Sequence, residues 1–193
     1  NGYSPQFMQN TLHYNLGNET FSETAYLSGI AATDWSWSPI IADFDNDGFK
    51  DIYITNGILG ATNDMDFINF ISNKEIQKQL ATEKSQRNLE LSKQIPKKKV
   101  KNYFFQNNKD NTFKNVTNQW TQTASSFSNG GVSVDLDNDG DLDLVINNIN
   151  EEAYILRNTS NKIYKNNYLK IKFKGDTFNT FGIGTKIKVY SKN

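Results

Sequence analysis

Two nine-residue stretches of the chain concentrate carboxylates at a spacing that suits a metal ion. The first reads Asp43-Phe-Asp-Asn-Asp-Gly-Phe-Lys-Asp51, and the second reads Asp135-Leu-Asp-Asn-Asp-Gly-Asp-Leu-Asp143. Each stretch places Asp at positions 1, 3, 5 and 9 and Gly at position 6. Carboxylates packed this closely repel one another, and a hard cation that takes roughly six to eight oxygen ligands removes that repulsion. The spacing therefore predicts two Ca²⁺ sites.

The candidate ligands follow from the way such a loop curls. Side chains at positions 1, 3 and 5 point inward, position 7 offers its carbonyl, and position 9 closes the ring. Gly48 and Gly140 permit the sharp turn, because glycine adopts positive φ without strain. The predicted ligands are Asp43, Asp45, Asp47, the Phe49 carbonyl and Asp51 in the first loop, and Asp135, Asp137, Asp139, the Asp141 carbonyl and Asp143 in the second.

Neither stretch has the pattern of an EF-hand. That motif needs a Glu at position 12 and a helix on each side, whereas position 12 here is Ile54 or Ile146. Short β-branched and aromatic runs flank both stretches, so each should connect two strands. The alternative is a metal-free turn rich in Asp, Asn and Gly. Retention of all four Asp residues and the Gly in both copies favours the ion.

Composition restricts the class of protein. The 193 residues carry no net charge and no cysteine, with 36% apolar and 13% aromatic residues. Zero net charge provides no field that attracts nucleic acid, and the lack of cysteine excludes disulfides and zinc–thiolate sites. No apolar run approaches the roughly 20 residues of a membrane span. No signal peptide is recognisable, and the chain starts within patterned sequence, so we expect a piece of a longer protein.

The residues around the two loops form an internal repeat with an offset of 92. Thr112-Phe113 matches Thr20-Phe21 at this offset, and Asn148 matches Asn56. A constant offset over about 45 positions indicates duplication. A segment at about residues 62–99, rich in Lys, Glu, Gln and Asn, interrupts the repeat and is predicted to be a helical insertion. Without it, each repeat has roughly 55 residues and four short strands, which is typical of propeller blades.

We therefore predict a mainly β fold, a partial β-propeller of four-stranded blades with Asp-rich calcium loops and a helical insertion. Residues 1–160 should hold one whole blade and parts of two others. The strands of the whole blade are predicted at 39–43, 51–55, 103–106 and 112–116.

Residues 161–193 break the repeat and should begin a separate β module. Residues 168–174 and 185–190 alternate apolar and polar side chains, as half-buried strands do. Gly175-Asp176 would form the turn that follows the first of them. This segment is predicted to be the truncated start of that module.

The loops and the strands around them resemble FG-GAP/VCBS repeats, which form the blades of integrin-α-like β-propellers. The runs Asn102-Tyr-Phe-Phe-Gln-Asn-Asn108 and Thr112-Phe-Lys-Asn-Val-Thr117 belong to the same pattern. Residues 167–184 are similar to the start of the ASPIC/UnbV domain, and Thr33-Asp-Trp-Ser-Trp37 is similar to versions common in Bacteroidetes. The resemblance implies a secreted or cell-surface protein with structural calcium, which recognises proteins or glycans and shares no enzymatic reaction.

Three functions stay open at this point. The first is an extracellular scaffold for adhesion or for recognition of a protein or glycan, without enzymatic activity and without a nucleic-acid partner, since no RNP-type motif or basic face is present. The second is part of a secreted polysaccharide-active enzyme, for which Trp37 could stack on a sugar and Trp35 is expected in the core. His13, the single histidine, is expected to be a partly buried packing residue. The third is a structural spacer.

Overall fold

The computed structural model describes residues 9–60, 68–70, 72–74, 77 and 95–190. In this part of the chain, nine strands form three antiparallel sheets, with two short helices. The elements are β1 His13–Asn15, β2 Phe21–Glu23, β3 Ser36–Ala42, β4 Asp51–Asn56, β5 Tyr103–Asn107, β6 Phe113–Asn115, α1 Thr117–Trp120, β7 Ser128–Val134, β8 Asp143–Asn148, β9 Tyr154–Leu156 and α2 Ser160–Ile163.

The three sheets correspond to three blades of unequal completeness. The first blade contains β1 and β2, the central blade contains β3–β4–β5–β6 in that order, and the third blade contains β7–β8–β9. Every pairing is antiparallel between strands that are consecutive in the chain, as in a meander. One four-stranded blade with parts of two others was predicted from the sequence, and the mainly β fold is confirmed.

The offset of 92 residues holds in the backbone as well as in the sequence. β3 and β7 differ by this offset at both ends, and so do β4 and β8. Both inner hairpins contain a register irregularity near their start, between Ser36 and Pro39 in one and between Ser128 and Gly130 in the other. The two copies of the sequence thus form the same hairpin, and the Asp-rich loop connects its two strands in each case.

The core lies between consecutive blades, so the central blade is covered on both faces. All six residues of β4 are buried, and their side chains alternate between the two faces, as strand geometry requires. Ile52 and Ile54 pack toward the first blade with Ala25, Ile30 and Phe105. On the opposite face, Tyr53 packs toward the third blade together with Ile40, Ala42, Phe44, Phe104, Val116, Leu144 and Ile146.

Buried polar side chains connect the central blade to the third blade. The Asn102 Oδ1 accepts a hydrogen bond from the Asn56 amide at 2.8 Å, and the Asn102 Nδ2 donates to the Ser128 Oγ at 2.9 Å. Ser128 in turn donates to the Asn148 Oδ1 at 2.6 Å. All four residues are buried, and losing one partner would leave a buried polar group unsatisfied, at about 1–3 kcal/mol.

Two regions differ from the expectations or extend outside the described residues. Most of the predicted helical insertion lies outside the described residues; within it, residues 68–70, 74 and 77 are helical. The strands predicted at 168–174 and 185–190 are wrong, because residues 164–190 contain no strand. Alternating sequence alone does not make a strand, since a hairpin without a further sheet or helix to pack on is marginally stable in water.

Candidate metal centre

The two Asp-rich loops have the same backbone conformation at the two residues that turn the chain. Asn46 and Asn138 lie in the left-handed region with φ of 55° and 60°, and Gly48 and Gly140 have φ of 91° and 92°. A Cβ at Gly48 would meet no atom within 4 Å, so glycine is needed there for its φ and not for space. Asn46 and Asn138 therefore help to turn the chain, since asparagine is one of the few residues that adopt the left-handed region readily.

In the first loop, three of the predicted ligands converge. Asp43, Asp45 and Asp51 each place a carboxylate oxygen within 4.8 Å of the other two. Asp43 accepts hydrogen bonds from the backbone amides of Asp47 at 3.0 Å and Gly48 at 2.9 Å. These bonds hold the loop closed around its first carboxylate. We call Asp43, Asp45 and Asp51 the first trio. Neutral N–H donors partly offset the electrostatic repulsion among its carboxylates.

Asp51, at position 9, ties the first loop to two strands. Its Oδ2 accepts from the Phe44 amide at 3.0 Å, and its Oδ1 accepts from the Asn107 amide at the end of β5 at 2.9 Å. The side chain is buried. Burial raises the pKa of this carboxyl to about 6, although the hydrogen bonds from the two amides act to lower it. Burial likewise raises the pKa of Asp45.

Asp47, another predicted ligand of the first loop, lies outside the first trio. Asp47 accepts from the Phe49 amide at 2.9 Å through Oδ1, and its Oδ2 forms an ion pair with Lys109 Nζ at 3.0 Å. Phe49 is an exposed side chain, and the Lys109 ammonium lies 5.1 Å from the centre of its ring. The structure therefore brings together the side chains at positions 1, 3 and 9 of this loop.

In the second loop the converging set is different. Asp135, Asp137 and Asp139 each place a carboxylate oxygen within 4.8 Å of the other two; we call them the second trio. Asp143 lies outside it, although it repeats the role of Asp51. Its two oxygens accept from the Leu136 amide at 3.0 Å and the Asn158 amide at 2.7 Å.

Asp141, at position 7 of the second loop, has a role that the sequence analysis missed. Its carboxylate is buried and accepts from the Asn46 Nδ2 at 2.7 Å and from the Asn161 amide at 2.7 Å. Because Asn46 belongs to the first loop, this bond joins the two loops across the blade boundary. Asn158 makes a second connection, donating to the Phe44 carbonyl at 2.7 Å. The prediction gave Asp141 a carbonyl role only.

The residues present fit a calcium ion. Each trio offers carboxylate oxygens, which are the ligands that Ca²⁺ prefers. The Asp135 Oδ1 is also buried without a hydrogen-bond partner among the described residues. A buried carboxylate oxygen with no donor is unfavourable, and coordination to a cation would satisfy it.

In the central and third blades, the chain at the end of the third strand donates hydrogen bonds to the Asp-rich loop of the same blade. Tyr103-Phe-Phe-Gln-Asn107 and Tyr154-Ile-Leu-Arg-Asn158 occupy equivalent places. Asn107 donates from Nδ2 to the Lys50 carbonyl at 2.9 Å, and Asn158 does the same to the Leu142 carbonyl at 3.2 Å. The shared Tyr-x-x-x-Asn pattern was the sequence signal that could have identified these supporting residues.

The residues considered for catalysis do not form a site in the described part of the chain. His13 is exposed on β1, so the expectation that it is partly buried was wrong. It occupies the place of the buried Phe105, but in the described residues β1 pairs only with β2 and lacks the inner strands that cover Phe105. Trp35 is half-buried. Trp37 is half exposed, and its indole Nε1 donates to the Gly57 carbonyl at 2.6 Å.

Comparison with protein families identifies the repeat. The model of the FG-GAP-like repeat matches residues 3–54 and 98–146, together just over half of the chain. The chain belongs to the FG-GAP-like repeat family. Each match covers the outer two strands of one blade and the inner hairpin of the next, so one FG-GAP-like repeat spans a blade boundary. No curated protein matches the chain.

The titration of Asp51 gives a pH dependence for the metal-free protein. Since burial raises its pKa from 3.8 to about 6, the folded state keeps the proton over a range where the unfolded state releases it. The free energy of unfolding should therefore fall as pH rises from about 4 to about 6, by at most about 3 kcal/mol, and then level off.

Urea unfolding in EDTA at pH 4 to 7 measures this effect. The variant Asp51→Asn cannot titrate at this position and serves as the reference. The stability of the native sequence relative to Asp51→Asn should decrease with pH over this range. A relative stability that is constant or increases would mean that Asp51 is already ionised at pH 4 in the folded, metal-free protein.

Proposed function

We propose that this chain is part of a calcium-binding extracellular β-propeller that acts as a scaffold for recognition or adhesion, with a protein or a glycan as its partner. The observation that carries the proposal is the pair of carboxylate trios in equivalent loops of an FG-GAP-like repeat. FG-GAP repeats are typical of extracellular proteins. Extracellular calcium modules bind with dissociation constants of roughly 10⁻⁴–10⁻³ M, a range that suits calcium outside the cell.

The calcium in this proposal is structural. Bound Ca²⁺ would supply two positive charges to carboxylates that otherwise repel one another. In the first loop, Asp43, Asp45 and Asp51 would hold it, with Asp47 and the Phe49 carbonyl as further predicted ligands. In the second loop the holders would be Asp135, Asp137 and Asp139, with the Asp141 carbonyl and Asp143 as further predicted ligands.

The position-9 residues show how ion binding would reach the fold. Asp51 and Asp143 each accept a backbone amide from the start of their own loop and another from the end of the third strand. Keeping these carboxylates charged strengthens both hydrogen bonds, because charge-assisted bonds are roughly twice as strong as neutral ones. The ion would thereby hold together the first three strands of the central blade and, in the second loop, those of the third blade.

We also propose that the chain is not an enzyme. Among the described residues, the carboxylates that lie close together belong to the two loops, and His13 stands exposed on a peripheral strand. No helix in the described residues is long and apolar enough to cross a membrane. A role within a secreted polysaccharide-active enzyme, or as a spacer, would place the function in other parts of a longer protein.

For residues 161–193 we infer the start of an ASPIC/UnbV-type β module, in a protein of the type common in Bacteroidetes. The support is the alternating sequence at 168–174 and 185–190, whose apolar side chains, such as Leu169 and Val189, are exposed. Hydrogen exchange on the parent protein tests this inference. Residues 164–190 contain no strand in this structure, so these segments would become strands only against the remainder of the module in the parent protein. Protected alternate amides in both segments of the parent are expected, and rapid exchange throughout them would contradict the module.

Calcium should raise the melting temperature of the chain. With 10 mM Ca²⁺, about 10–100 times the expected dissociation constant, each occupied site adds about 1.4–2.7 kcal/mol. This corresponds to a shift of roughly 3–10 °C relative to EDTA. The measurement is thermal unfolding followed by circular dichroism, with Mg²⁺ as the ionic control, because Mg²⁺ demands a smaller, octahedral site.

Substitutions distinguish calcium binding by the loops from a general effect of removing negative charge. Asp43→Asn combined with Asp45→Asn removes two ligands of the first loop and should reduce the calcium-dependent shift. Asp110→Asn, in the exposed turn between β5 and β6, changes one Asp outside the loops and should leave the shift intact. Equal melting temperatures in EDTA and in calcium would refute the calcium function. A glycan and protein binding screen with the parent protein would then identify the partner.

A further inference from the structure

The two loops differ in one residue that directly contacts a trio. In the central and third blades, the residue just before the Asn of the Tyr-x-x-x-Asn pattern contacts the position-3 carboxylate of the loop. In the central blade this residue is Gln106, whose Nε2 donates to the Asp45 Oδ2 at 2.8 Å. In the third blade it is Arg157, whose Nη2 lies 2.5 Å from the Asp137 Oδ2. A neutral amide in one loop is thus replaced by a full positive charge in the other.

A second cation adds to this difference. Arg157 Nη2 also lies 3.8 Å from the Asp139 Oδ2, and Lys170 Nζ lies 3.2 Å from the Asp135 Oδ2. Every member of the second trio therefore has a cationic partner. Lys170 lies in the segment that follows α2. The ring of Tyr168, in the same segment, packs directly over Gly140 of the second loop.

The first trio is compensated differently. Among the described residues, the first loop forms an ion pair between Lys109 and Asp47, and Asp47 lies outside the first trio. The polar contacts of Asp43, Asp45 and Asp51 come from backbone amides and from Gln106. The first trio thus keeps its negative charge available for an incoming cation.

We propose that the two loops are unequal calcium sites, the first binding tightly and the second weakly, because Arg157 and Lys170 compete with the ion in the second. This inference rests on the proposed calcium function. A unit charge about 5 Å from a divalent ion, even at the dielectric constant of water, weakens binding roughly tenfold. The side chains of Arg157 and Lys170 are 59% and 63% exposed, so neither blocks the entry of the ion, while their positive charges stay beside the loop.

Exchanging the two strand residues tests the proposal. Arg157→Gln gives the second loop the amide of the first and should tighten the weaker phase roughly tenfold. Gln106→Arg gives the first loop the charge of the second and should weaken the tighter phase by a similar factor. The control is Lys99→Gln, which removes a cation that pairs with Glu151; it should change neither constant more than about twofold.

The measurement is isothermal titration of the whole chain with Ca²⁺, with the fold of each variant checked by circular dichroism. Two phases are expected, each with one ion per chain. Asp43→Asn with Asp45→Asn should abolish the tighter phase, and Asp135→Asn with Asp137→Asn should abolish the weaker one.

The outcomes distinguish this inference from the function on which it rests. A single phase of two ions per chain, or an Arg157→Gln variant whose weaker phase is unchanged, would overturn the inequality while leaving calcium binding intact. Loss of the tighter phase on mutating the second loop would reverse the assignment and overturn it as well. No binding heat in the native sequence would refute the calcium function and the inference together.

Discussion

The fold depends on keeping several carboxylates close together at the ends of two hairpins. Asp51 and Asp143 are buried, and each accepts two backbone amides that join the loop to the third strand of its blade. Burial and neighbouring carboxylates both disfavour the charged form of Asp51, while its hydrogen bonds require a charged acceptor for full strength. The proposed cation would resolve this conflict in the first loop by favouring the charged form of Asp51.

The loops also join neighbouring blades. The Asn46–Asp141 bond and the Asn158 bond to the Phe44 carbonyl both cross from the central to the third blade. They lie beside the apolar cluster around Tyr53 and Phe104, while the Asn102–Ser128 bond makes a separate buried connection. The proposed ion, by ordering either loop, would therefore stabilise the interface between blades. The scaffold proposed here would present a partner-binding surface whose rigidity depends on calcium.

The sequence predicted the fold well where a repeat or a period was present. The offset of 92 located both hairpins, and their alternating apolar residues predicted the strands. It failed at 168–174, which has the period of a strand but pairs with no strand among the described residues. It also failed at His13, because the described part of the first blade lacks the inner strands that would cover this side chain. Contacts between distant residues, such as Asn46 with Asp141, could not be predicted because no local pattern encodes them. The sequence contains the difference between Gln106 and Arg157, but its relation to the two carboxylate trios could be recognised only once the strands were aligned.

A crystal structure of the chain grown with millimolar calcium would show directly whether the two loops bind the ion. One ion is expected in each loop, with oxygen–metal distances of roughly 2.3–2.6 Å. The ligands would include the side chains at positions 1, 3 and 5, and Arg157 would have moved away from Asp137. Loops without an ion, in which Arg157 and Lys170 keep their present ion pairs, would contradict the proposed calcium binding.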